Sequence, residues 1–174
     1  MAVLIGATSG LGACSVHFPS VEAWSQAESQ LAARMATTLD TLDPLLPALL
    51  DDPGYMSPSL TPDSGINVIL GRENVTGEDV AGSTTLFELE QRSTDDVTAH
   101  LLVEGHGSAG GGITDASVGL YGCAAVTGSL REAMPSWGIE DEECPEWLVE
   151  VRARTQSRYT PTSVVAAIEA SLGR

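Results

Sequence analysis

The chain has 174 residues, enough for one compact core, and with 43% hydrophobic residues it can fill that core. Its 18 glycines and 9 prolines exceed the needs of a helical bundle, so strands and turns should be prominent. A formal charge of −16 excludes a reader of nucleic-acid phosphates and repels anionic headgroups, and with every cation an arginine no chemistry that needs a lysine amine is open to the chain.

Residues 1–13, MAVLIGATSGLGA, carry no charge and lead to Cys14. The stretch VLIGATSGLG resembles the first strand and turn of the short-chain dehydrogenases. Gly6, Gly10 and Gly12 have the spacing that lets backbone approach a pyrophosphate at a helix N-terminus. That resemblance implies a dinucleotide cofactor, but the rest of the chain does not supply what it requires. The family's Tyr-x-x-x-Lys pair is impossible without lysine, and no apolar strand ending in an acid follows about twenty residues later.

Leu11-Gly12-Ala13-Cys14 resembles instead the lipobox of bacterial lipoproteins, behind a modest apolar run from Ala2 to Ile5. Small residues suit an extended chain in a peptidase, and the thiol must be free to accept diacylglycerol. The resemblance covers only these residues. It implies cleavage before Cys14, lipid on its thiol and a position outside the membrane. Residues 1–13 are then a signal peptide, 14–20 a lipidated tether and 21–174 a single domain. The missing positive n-region reads as a translation start upstream of Met1. The alternative for Cys14 is an ordinary buried cysteine in a first strand.

Ser20 suits the N-cap of a helix from Val21 to about Leu42, with Trp24, Ala27, Leu31, Met35, Leu39 and Leu42 as its apolar stripe. Asp43-Pro44 restarts a short helical piece, LLPALL, and residues 51–65 are too rich in Pro, Gly, Ser and Asp to be regular. INVIL at 66–70 is a short strand. Three better strands follow at Thr84–Gln91, Val97–Gly105 and Ser117–Thr127, separated by RSTDD and by the glycine-rich GHGSAGGG. WLVEVRAR at 147–154 reads as a fourth main strand. Thr160-Pro161 then caps a closing helix whose Val164, Val165, Ile168 and Leu172 face one way. The expected fold is α+β: an N-terminal helix, an antiparallel meander of four to five strands and a C-terminal helix.

Strand alternation puts His100, Leu102 and Glu104 on one face, continued by His106. These are weak candidates for a zinc or copper site, since histidines six residues apart on a strand stand about 20 Å apart. Gly105-His106-Gly107-Ser108 has the look of a Ser–His pair, the basis for an alternative reading as a secreted hydrolase or metal-dependent enzyme using His100 or His106. No Gly-x-Ser-x-Gly elbow supports it. Glu140 to Glu143 is an acidic run without the spacing of a calcium loop, read as solvated. Asn74-Val75-Thr76 fits a glycosylation acceptor of no particular weight in a bacterial lipoprotein.

With Cys14 taken by lipid, the two remaining cysteines allow one disulfide, Cys123 to Cys144, suited to an oxidising compartment. The functional expectation is a non-enzymatic binding or accessory module without a cofactor. It would meet the membrane through its anchor and an envelope protein or small ligand through its surface, and bind no nucleic acid.

Overall fold

The computed structural model describes residues 19–52, 65–69, 75–80, 84–110, 115–131, 134–155 and 159–173. Cys14, the N-terminal glycine motif, Asn74 and most of the 51–65 loop lie outside them.

Helix α1 (Pro19–Leu42) buries Ala23, Ala27, Leu31, Met35 and Leu42, which recur every three or four residues. Trp24 does not belong to this stripe. It stands at 38% exposure on the outer side, because the inner side near the helix start is reserved for alanines that let a strand backbone come close. The Asp43–Leu45 turn and α2 (Leu46–Asp51) continue the layer, with Leu46 and Leu49 buried and prolines in the first turn of each.

Six strands form one mixed sheet. Strands β1 (Ile66–Val68), β2 (Thr84–Gln91), β3 (Asp96–Ala109), β4 (Ala116–Arg131) and β5 (Met134–Glu142) lie in that order, and β6 (Tyr159–Pro161) joins β4. The meander β2-β3-β4-β5 is antiparallel, whereas β1 beside β2 and β6 beside β4 are parallel. The sheet is therefore mixed rather than purely antiparallel.

Three expected boundaries move. The acidic run before Cys144, read as solvated, is strand up to Glu142 as the end of β5, in which Trp137 and Ile139 alternate inward. WLVEVRAR forms a helix, α4 (Glu146–Thr155), not a strand. Glu146 in its first turn and Arg152 and Arg154 in its last both suit the helix dipole. Thr160 and Pro161 belong to β6, so α5 (Val164–Leu172) starts later, capped by Ser163. It buries Val164 and Ala167 and leaves Leu172 exposed.

Helices α1, α2 and α5 cover one face of the sheet against Leu86, Leu101, Val103, Leu120, Ala124 and Val126. The other face carries a smaller cluster, Val80 of α3 (Gly77–Val80) with Phe87, Leu102, Cys123 and Leu148 of α4. A bulge at Phe87 shifts the register of β2, so that Leu86 pairs with Leu101 but Glu88 with His100. Downstream of it Leu89 packs against the helical layer, while Glu90 turns to the opposite face.

The glycines at 105 and 107 do not make a turn. They extend β3 to Ala109, where α1 lies so close that a Cβ on Gly107 would overlap the carbonyl oxygen of Ala23 and stand 2.6 Å from the nitrogen of Ala27. Beyond Val103 no described residue of β2 pairs with β3, and side chains of α1 reach its backbone there. Gln26 Oε1 accepts from the Ser108 N–H (3.2 Å), Gln30 Oε1 accepts from the His106 N–H (2.6 Å), and Arg34 Nη1 donates to the Glu104 carbonyl (2.9 Å). The spacing matches: four helical residues rise about 6 Å, close to the length of two strand residues.

Candidate functional site

The face of the sheet turned toward α4 holds the buried ionisable groups, in two clusters. In the first, His100 stands between a carboxylate from the adjacent strand β2 and one from β5, two strands away on the other side. Its Nδ1 lies 2.7 Å from Glu142 Oε2, at the end of β5, and its Nε2 lies 3.9 Å from Glu90 Oε2, brought round by the bulge in β2. The Phe87 ring lies beside it with centroids 6.1 Å apart. Glu142 keeps its other oxygen buried without a hydrogen bond, next to a cleft of about 290 Å³ lined by Tyr121, Cys144, Val149 and Thr162.

The second cluster is more deeply buried. Glu104 is fully enclosed and accepts a hydrogen bond from Arg152 Nε, the arginine being 4% exposed. The guanidinium lies between two aromatic rings, with its carbon 4.3 Å from the centroid of Tyr121 and 4.0 Å from that of Tyr159. Each element contributes one part: β3 the carboxylate, β4 and β6 the tyrosines, α4 the arginine. Gly119 leaves the space for the Tyr159 ring, which a Cβ there would strike at 2.6 Å. Burial holds the Tyr159 hydroxyl above the usual tyrosine range, the Glu104 charge adds to this, and Arg152 and Arg34 act against it.

The candidate metal ligands are thus kept apart. Glu104 engages Arg152, His100 engages Glu142, and the exposed His106 has its Nε2 3.5 Å from Ser117 Oγ rather than beside Ser108. The two carboxylates at His100 flank opposite ring nitrogens, so they cannot converge with it on one ion. Among the described residues no three His, Cys, Asp or Glu side chains are placed to hold a metal. Among the described residues no carboxylate is hydrogen-bonded to the His106 imidazole of the His106–Ser117 pair, and both His100 nitrogens face carboxylates.

Two structural roles are not evident from local pattern. Asp141, within the acidic run, caps α5: its Oδ1 accepts from the Val164 and Val165 N–H groups at 2.7 and 3.1 Å, and its Oδ2 from the Ser163 hydroxyl. Arg152, in a segment that reads as a strand, instead lies on α4 and pairs with Glu104.

The expected disulfide is present. Cys123 of β4 and Cys144, in the link from β5 to α4, are joined with Cα atoms 5.2 Å apart across 21 residues of sequence. The bond packs on Leu148 and Phe87 and fastens α4 to the sheet. On the chain-entropy model a loop of this length contributes about 3 kcal/mol. Urea denaturation with and without reductant should therefore differ by about 3 kcal/mol, and coinciding curves would show that the fold does not depend on this closure.

No family model matches the chain, and neither a curated protein nor a solved structure matches it.

Proposed function

We propose that the protein is a bacterial envelope lipoprotein, anchored outside the membrane by diacylglycerol on Cys14, and that its domain is a non-enzymatic binding or accessory module. The observation that carries this reading is the Cys123–Cys144 disulfide, which belongs to an oxidising compartment. It leaves Cys14 as the one remaining cysteine, within the lipobox-like Leu11-Gly12-Ala13-Cys14. The charge of −16 suits a tethered domain that must stay soluble, and nucleic acid is not among its partners. The partner is an envelope protein or small ligand met at the domain surface.

Two acyl chains at about 0.8 kcal/mol per buried CH₂ suffice for stable anchoring. Cells expressing the gene from its native upstream region and fed radioactive palmitate should label the protein. The Cys14→Ala variant should be unlabelled and leave the membrane fraction. An unlabelled parent protein, or an alanine variant that sediments with membranes as the parent does, would falsify the anchor.

A further inference from the structure

Strands β5 and β6 both pair with β4 and part at Gly122: β5 covers Cys123 to Arg131, and β6 covers Gly119 to Tyr121. The cleft of about 290 Å³ opens at this fork, and the Cys123–Cys144 disulfide forms part of its wall. The two halves of that bond are unequally placed. Cys123 is 3% exposed and packs with Phe87, Leu102 and Leu148. Cys144 is only partly buried, just past the end of β5. Thiol–disulfide exchange requires a thiolate to reach one sulfur, so access decides which is attacked. Entry through the cleft favours Cys144.

Charge then decides which thiol enters. Glu142 and Glu143 immediately precede Cys144 and line the same cleft, and the exposed Glu146 follows two residues on. Glu142 is held in place through its Oε2, 2.7 Å from His100 Nδ1. No arginine or histidine is among the described residues of the lining. A small thiolate that carries a further negative charge is repelled here, whereas one that carries an ammonium group is attracted.

We propose that Cys144 is a thiol-exchange site whose substrate class is the small aminothiol, with a primary ammonium a few bonds from its sulfur. The aminothiol thiolate bonds to Cys144 Sγ, the bond between the two protein sulfurs breaks, and Cys123 leaves with the electron pair and takes a proton from water. Cys144 then carries the aminothiol as a mixed disulfide. A second aminothiol releases it by the same exchange, which leaves two reduced cysteines and one free aminothiol disulfide. Helix α4 loses its covalent link to the sheet and keeps the Arg152–Glu104 ion pair. Cys14 takes no part.

The test uses the full-length Cys14→Ala protein at low salt with cysteamine or mercaptoethanesulfonate, thiols of similar length and opposite charge. Each rate is divided by the rate of the same thiol with the uncharged hydroxyethyl disulfide. The ratio for cysteamine should exceed that for the sulfonate by about tenfold or more, and the gap should narrow in high salt. Glu143→Gln, at an exposed position, should cut the advantage about threefold. After acid quenching and alkylation, trypsin cleavage at Arg131 separates the two cysteines. The mixed disulfide should then be found on Cys144 and the alkyl group on Cys123. Equal ratios, an adduct on Cys123, or no exchange with either thiol would each overturn the proposal. So would an advantage undiminished by both Glu143→Gln and high salt, since its origin would then lie outside the carboxylates of the cleft.

Discussion

Gly107→Ala should destabilise the domain by about 3 kcal/mol or more, the upper range for overpacking, although it adds one methyl group. The new Cβ would meet backbone of α1, the Ala23 carbonyl and the Ala27 nitrogen, not the end of a flexible side chain. Helix and strand would have to separate. That would stretch the bonds from Gln26 and Gln30 to the strand and open contacts around the buried Leu31. Gly138→Ala is the control: the nearest atom to its Cβ is the Thr127 carbonyl oxygen at 4.0 Å, and the change should fall within about 0.5 kcal/mol. Urea midpoints of the two variants decide the matter. Equal midpoints would mean that α1 does not press on β3 as described.

Arg152→Met should cost about 3–5 kcal/mol, because it withdraws the guanidinium from a fully enclosed Glu104 while keeping most of the side-chain volume between Tyr121 and Tyr159. Removing both charges, in Glu104→Leu with Arg152→Met, should recover much of that loss, since well-packed apolar residues often replace a buried ion pair at little cost. The four proteins make a double-mutant cycle. A coupling below about 0.5 kcal/mol would show that the pair does not fasten α4 to the sheet. The variant should keep its disulfide, so the two attachments of α4 can be measured separately.

Much of this architecture was legible in the sequence, and the failures have physical causes. The α+β class, α1, the proline-started piece after it and β1 to β4 followed from period and punctuation. Strand β5 did not, because Pro135, Gly138 and the acids at 140–142 look like loop chemistry. Its weak period-two signal, Trp137 and Ile139, was outweighed. The α4 segment reads as a strand because Trp147, Val149 and Val151 alternate and are strand-favouring. The better signal lay in Leu148, Val151 and Arg152 at helical spacing and in Pro145-Glu146 at the start. Spacing alone points Trp24 inward. Only the glycine-to-alanine fit of β3 against α1 shows why a large side chain is excluded there.

The paired cysteines were legible by count, whereas the ionic partners were not. His100 and Glu104 share a strand face as alternation requires, but their hydrogen-bond partners Glu142 and Arg152 come from residues forty or more positions away. No local pattern carries that information. The bulge at Phe87, which brings Glu90 to His100, is equally silent in sequence.

The ladder of Gln26, Gln30 and Arg34 along β3 bears on how copies of this chain behave when crowded. A strand running past its neighbour normally presents a row of unmet amide groups, a template on which another molecule can add a strand. Here the amides of His106 and Ser108 and the carbonyl of Glu104 are answered by side chains of the same molecule. A helix cannot be extended by an incoming strand, so at these three groups the overhanging end of β3 is closed to strand addition.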